Sequence, residues 1–102
     1  MKSRFRQLCL QITAVREKGS VSELIYVYML QSLAHPTSHY VGLTDDLTSR
    51  LATHNKGSVH HTSRLRPWRI ETAIAFSSRT KAVAFERYLK TGSGRAFAKK
   101  HF

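Results

Sequence analysis

Two short β-type segments around one polar break constrain this chain more than any other feature. They run from Ile25 to Gly42 and read Ile-Tyr-Val-Tyr-Met-Leu, then an irregular stretch, then His-Tyr-Val-Gly. Residues 25–30 are rich in β-branched and aromatic types, which fit a pleated, half-buried surface. Between the segments stands Ala34-His35-Pro36-Thr37-Ser38. Pro36 biases His35 away from helix and favours a turn there. The stretch therefore reads as a hairpin, with strands over 24–31 and 39–43. By the two-residue period, Tyr26 and Tyr28 share one face of the first strand.

Downstream the periodicity changes. Leu47, Leu51 and His54 recur at helical spacing, so a helix is expected from about Asp45 to Asn55. Thr44 or Asp45 can cap it, Asp45 and Asp46 suit its positive end, and Gly57 can stop it. Arg50 and His54 are four apart and project from neighbouring turns. Residues 56–67 read as a basic loop whose Lys56, Arg64 and Arg66 alternate with hydroxyl residues, as a phosphate-tracking segment would. Trp68 to Phe76 reads as a third strand. Strict alternation would place Trp68, Ile70, Thr72, Ile74 and Phe76 on one face, and Arg69, Glu71, Ala73 and Ala75 on the other. A second helix is expected over Ser78–Lys90, packed through Ala82, Phe85 and Leu89. Glu86 borders that apolar stripe and is four residues from Lys90, so an ordinary helix ion pair is one reading of it. Gly92-Ser93-Gly94 should end this helix, and a short basic one follows over Arg95–Lys100. The order β-β-α-β-α-α implies an α+β fold, a three-stranded and mainly antiparallel sheet flanked by helices.

Charge narrows the partners. Seventeen Lys and Arg face six Asp and Glu, a formal charge of +11 over 102 residues. That balance favours a polyanion, and nucleic acid fits better than membrane because no long apolar run is visible. The acids are only Glu17, Glu23, Asp45, Asp46, Glu71 and Glu86. Two-metal phosphoryl-transfer sites need several convergent carboxylates, so metal chemistry here would centre on one ion. Cys9 is alone, which excludes an internal disulfide framework or a cysteine zinc cluster and suits a reducing, cytoplasmic setting. His60 and His61 read as loop histidines.

The run Tyr26-Val27-Tyr28, a gap, Tyr40-Val41-Gly42, then Arg50 and His54-Asn55 resembles the GIY-YIG nuclease family. The second motif stands as Tyr40-Val41-Gly42, and the first is degenerate, with Tyr26 in the place of its glycine. The resemblance covers about residues 24–102. The ending from Ala84-Phe85-Glu86 to Phe102 looks like the small stand-alone bacterial members, relatives of the nuclease domain of an excision-repair subunit. The resemblance implies a metal-dependent endonuclease that hydrolyses DNA phosphodiester bonds with one metal, in DNA repair or processing. It implies catalytic roles for Tyr28, Tyr40, Arg50, His54 and Glu86. Glu86 would ligate Mg²⁺ or Mn²⁺, and the general base would be Tyr28, Tyr40 or His54. Gly42 would give room for close approach of the backbone, and Lys56, Arg64, Arg66, Lys90 and Arg95 would meet nucleic acid. Some members carry a lysine just after the second motif's glycine, and here that place holds Leu43.

Duplex or branched DNA is the expected partner, with RNA and a protein partner left open. A non-catalytic nucleic-acid-binding module is the alternative reading. Residues 1–23 lie outside the resemblance. Their Lys2, Arg4, Arg6 and Arg16, with no acid before Glu17, read as a basic extension, a mobile arm or an overcalled start.

Overall fold

The computed structural model describes residues 24–102. The basic extension read at residues 1–23 lies outside the described residues. Strand β1 (Ile25–Ser32) pairs antiparallel with β2 (His39–Thr44) on one side and with β3 (Trp68–Phe76) on the other, in the order β2-β1-β3. Helix α1 (Leu47–Lys56) follows the hairpin, and α2 (Arg79–Leu89) and α3 (Gly92–His101) follow β3. This is the expected α+β arrangement.

Because β1 is central, it is covered on both faces, and residues 25–30 are all buried. Ile25, Val27 and Met29 pack with Ala82 and Leu89 of α2 and Ala98 of α3. Tyr28 and Leu30 point the other way, with Trp68, Leu47, Leu51 and Leu65. Two thin apolar layers thus sandwich one strand. Tyr28 belongs to the layer under α1, while Glu86 comes from α2.

Strand β3 departs from strict alternation. Met29 lies opposite Thr72 but Leu30 lies opposite Ile70, so Glu71 is the extra residue of a bulge. One extra residue moves every later side chain to the opposite face. Trp68 and Ile70 join the layer under α1, whereas Phe76 joins the α2–α3 layer; Thr72 and Ile74 share that second side with Met29 and Val27. Ala73 falls beside Tyr28 instead. The bulge lets a nine-residue strand supply both cores.

Caps account for the helix boundaries. The side chain of Asp46, rather than Thr44 or Asp45, caps α1 by accepting from Ser49 N at 3.0 Å. Thr44 Oγ1 accepts from Asp46 N and so shapes the approach. Gly57 ends α1 with φ 81°. The stretch expected as a loop contains a 3-10 helix over His60–Leu65. Ser32 Oγ, fully buried, donates to Leu65 O at 2.6 Å and ties this segment to β1. The third helix begins earlier than expected. Thr91 Oγ1 accepts from Gly94 N, so Gly92-Ser93-Gly94 forms the first turn of α3 instead of a break.

Gly94 also sets how closely α2 and α3 approach. A Cβ there would strike the Tyr88 carbonyl oxygen and lie 2.6 Å from Leu89 Cα, both backbone atoms of α2. A Cβ on Gly92 meets nothing within 4 Å. Gly94→Ala is therefore expected to cost roughly 1–3 kcal/mol by overpacking, and Gly92→Ala to be neutral or stabilising by up to about 1 kcal/mol. Urea denaturation of the two variants checks this; equal stabilities would refute the close crossing.

Candidate active site

Tyr28 sits in mid-strand, 3% exposed, with its side chain toward α1. Its phenol lies across the neighbouring strand at Gly42, its cross-strand partner. A Cβ on Gly42 would collide with the Tyr28 hydroxyl and lie 2.9 Å from Cε1. Glycine is thus required by the tyrosine's own ring, a more immediate reason than access for a ligand. Over Gly42 the Tyr28 Oη meets His54 Nε2 at 3.0 Å.

His54 occupies the last turn of α1 and is 1% exposed. It is a core histidine with both ring nitrogens engaged: Nδ1 lies 2.8 Å from Thr62 Oγ1 in the 3-10 segment. Tyr40, half-buried on β2, completes the cluster. Its ring centroid is 4.9 Å from that of His54 and 6.3 Å from that of Tyr28. The two motifs of the hairpin and the end of α1 therefore converge on one point.

Two charges act on it. Arg50 is exposed, one turn before His54 on α1. Burial first, and Arg50 second, hold the His54 imidazole below its ordinary range, so the ring stays neutral. Burial pushes the Tyr28 phenol well above its ordinary range; Tyr40 and, more weakly, Glu86 add to this, while Arg50 opposes it. Glu86 is thus near enough, from α2 packed on β1 and β2, for its charge to act on Tyr28. Its side chain is 16% exposed and forms an i,i+4 ion pair with Lys90. Among the described residues no group of three or more His, Cys, Asp or Glu is placed to hold a metal ion. Glu86 is the carboxylate whose charge reaches Tyr28, and its hard oxygens would suit a divalent ion that keeps most of its water.

The expected nucleic-acid residues divide into two flanks. Lys56, Arg64 and Arg66 are exposed on the end of α1 and the segment after it. Arg66 has a second task, since its guanidinium lies against Gly57. Lys90 and Arg95 line a cleft of about 890 Å³ that also includes Tyr40 and Lys99. The sequence reading missed Thr62 and Asn55. Asn55 Nδ2 donates to Trp68 O at 3.1 Å and its Oδ1 accepts from Trp68 N at 2.6 Å, clamping α1 to the start of β3. Its place directly after His54 was a visible signal; Thr62 gave none.

The buried imidazole makes stability depend on pH with a defined sign. The unfolded chain protonates this histidine near pH 6.5, but the folded chain resists until lower pH. The stability from neutral His54 is complete above the unfolded value. It is lost as pH falls from about 6.5 through the depressed folded value. The melting temperature of the wild-type chain is expected to fall over this window, and that of His54→Gln to fall less. Parallel curves would show that His54 is not held neutral.

Residues 24–100 match the family described as the GIY-YIG catalytic domain. Relatives include structure-specific endonuclease subunits named slx1 or SLX1. That of Talaromyces marneffei is 46% identical over 65 residues, covering 58% of this chain and 17% of the relative. That of Scheffersomyces stipitis is 40% identical over 67 residues, 59% of this chain and 20% of the relative. That of Kluyveromyces lactis is 36% identical over 66 residues, 58% of this chain and 23% of the relative. The chain thus spans less than a quarter of the length of each of these curated relatives. With the tyrosines of both motifs, Gly42 and His54 gathered in one cluster, and with three quarters of its length matched, this chain belongs to the GIY-YIG family.

Proposed function

We propose that this domain is an endonuclease that hydrolyses DNA phosphodiester bonds with one divalent metal ion, Mg²⁺ or Mn²⁺, on Glu86. The observation that carries this reading is the hydrogen bond between Tyr28 and the buried, neutral His54, with the charges of Arg50 and Glu86 acting on it. Phosphodiester hydrolysis needs a proton acceptor for the attacking water and a cation for charge on the phosphate. A phenol whose own ionisation is disfavoured is a poor base by itself. Hydrogen-bonded to a neutral imidazole, it can pass its proton on as it takes one. The water oxygen bonds to phosphorus and a P–O ester bond breaks. The water's proton goes to Tyr28 Oη while the Tyr28 proton moves to His54 Nε2, and the leaving oxygen takes a proton from solvent. Arg50, exposed beside the pair, can fork onto phosphate oxygens. Tyr40 walls the acceptor pair. An ion on Glu86 would supply electrostatic stabilisation of the phosphate.

The relatives' description as structure-specific endonuclease subunits supports a structured substrate and a protein partner; a branched or distorted duplex and a role in DNA repair are part of the proposal. Lys90 and Arg95 beside Tyr40, with Lys56, Arg64 and Arg66 on the other flank, would hold the backbone on both sides of the cut. The Glu86–Lys90 ion pair favours a second reading, a binding module without catalysis, because the lysine already neutralises the proposed ligand.

Glu86→Gln separates the two. It keeps the shape and removes the charge. On labelled branched DNA with Mg²⁺ or Mn²⁺, cleavage is expected to fall by about a hundredfold or more, since metal stabilisation contributes several kcal/mol, while DNA binding is retained. Equal cleavage by wild type and variant, or cleavage by wild type in EDTA, would overturn the metal assignment. Binding without cleavage by both would establish the module.

Affinity for DNA is expected to fall with salt, its logarithm dropping by roughly 0.9 for each phosphate contacted per unit of log salt. A flat dependence, measured by fluorescence anisotropy, would remove DNA as a partner held by this +11 chain.

A further inference from the structure

We propose that Thr62 is a positioning residue: its hydroxyl fixes His54 in the tautomer whose bare Nε2 faces Tyr28. The inference deepens the nuclease reading and, for its effect on rate, rests on it.

The assignment follows from counting protons. Thr62 Oγ1 lies 2.8 Å from His54 Nδ1 and 3.3 Å from Val59 O. Val59 O only accepts, and in the proposed arrangement the single hydroxyl proton of Thr62 goes to it and not to His54. What Oγ1 then offers to His54 is a lone pair. Nδ1 must bring the hydrogen, and in a neutral ring Nε2 is left without one. The Tyr28 O–H, 3.0 Å away, donates to that nitrogen. The protons therefore point one way along the chain: Tyr28 to His54, His54 to Thr62, Thr62 to Val59. The opposite tautomer would aim an Nε2–H at the phenol oxygen, and the ring could not take up Tyr28's proton.

Thr62 is held so that it has little freedom to turn. It is 1% exposed. Its carbonyl accepts from Trp68 Nε1 at 2.9 Å, and its N–H donates to Val59 O at 3.2 Å. Trp68 is itself clamped at N and O by Asn55, the residue after His54. The ring and the hydroxyl that orients it are thereby referred to one frame, the junction of α1 with β3. None of this places Thr62 against a substrate, so it acts through His54.

The experiment uses the full chain labelled with ¹⁵N, and long-range ¹H–¹⁵N imidazole spectra at neutral pH. Wild type is expected to show His54 with Nδ1 protonated and Nε2 bare. Thr62→Val keeps the shape but removes the acceptor; His54 should then leave the single Nδ1–H form. On labelled branched DNA its kcat should fall about tenfold or more, by analogy with the hydrogen-bond partners that orient metal-ligating histidines, with KM little changed. Thr62→Ser should restore both the tautomer and the rate. Melting curves identify a valine variant that fails to fold; the wild-type spectrum and the serine variant then decide alone. An Nε2–H tautomer in wild type, or an Nδ1–H form that persists in Thr62→Val, overturns the proposal. The spectra need no substrate. A chain that cuts DNA with the wrong tautomer therefore sinks the role of Thr62 and leaves the nuclease. A chain with the expected tautomer that cuts nothing sinks the nuclease and leaves Thr62 as the group that orients His54.

Discussion

The Tyr28–His54 hydrogen bond is the interaction on which the rest of this domain depends. A phenol and an imidazole are both placed where water scarcely reaches, 3% and 1% exposed. A buried polar group left unpaired costs about 1–3 kcal/mol. Each atom in this cluster must therefore find its partner inside the protein. That requirement dictates several choices at once. The residue across from Tyr28 has no side chain, because the ring occupies its Cβ position. α1 must end where His54 can look down on β1. The segment after it must fold back to present Thr62 to the far nitrogen. The 3-10 helix follows from this demand and from the tie of Ser32 to Leu65, where the local sequence is mostly polar and basic.

The same interior sets the chemistry. Burial disfavours the charged forms of both groups, phenolate and imidazolium alike. In such a place a proton moves more readily along a prearranged chain than onto a lone base. Arg50 sharpens the situation, since its charge lowers the cost of a phenolate while it raises that of an imidazolium. A phosphate bound at Arg50 would offset that charge and make protonated His54 easier to hold. In the proposed reaction, substrate binding and proton acceptance would be coupled through one guanidinium.

Much of this was legible in the chain, for identifiable reasons. The hairpin, the order of elements and the helix stripes follow from periodicity and from Pro36 and Gly57, local signals that tertiary structure did not override. Tyr28, Tyr40, Gly42 and His54 were legible through motif spacing, and the structure brings them together. What was not legible depends on contacts across the sheet. The bulge at Glu71 reverses the face of half of β3, and nothing in Trp-Arg-Ile-Glu-Thr-Ala-Ile-Ala-Phe announces it; the register is fixed by needing Trp68 in one core and Phe76 in the other. Gly92-Ser93-Gly94 read as a break because glycine usually ends helices. Here Thr91 caps the next helix and Gly94 is spent on a backbone crossing. Thr62 is an ordinary hydroxyl in a polar run until the fold sets it against His54.

Glu86 presents the opposite case, a residue whose likeness to the family is plain and whose surroundings are ambiguous. Its pair with Lys90 satisfies the ordinary rule for charges four apart on a helix, worth about 0.2–0.5 kcal/mol in isolation. A divalent ion would offer the carboxylate, and a phosphodiester anion the ammonium, an alternative partner, and a pair this weak would compete little with either. Lys90 also lines the cleft with Tyr40 and Arg95. On release it would face the very phosphate whose metal displaced it. If an ion and nucleic acid bind as proposed, the ion pair would serve as a resting state that holds the Glu86 carboxylate in place until they arrive.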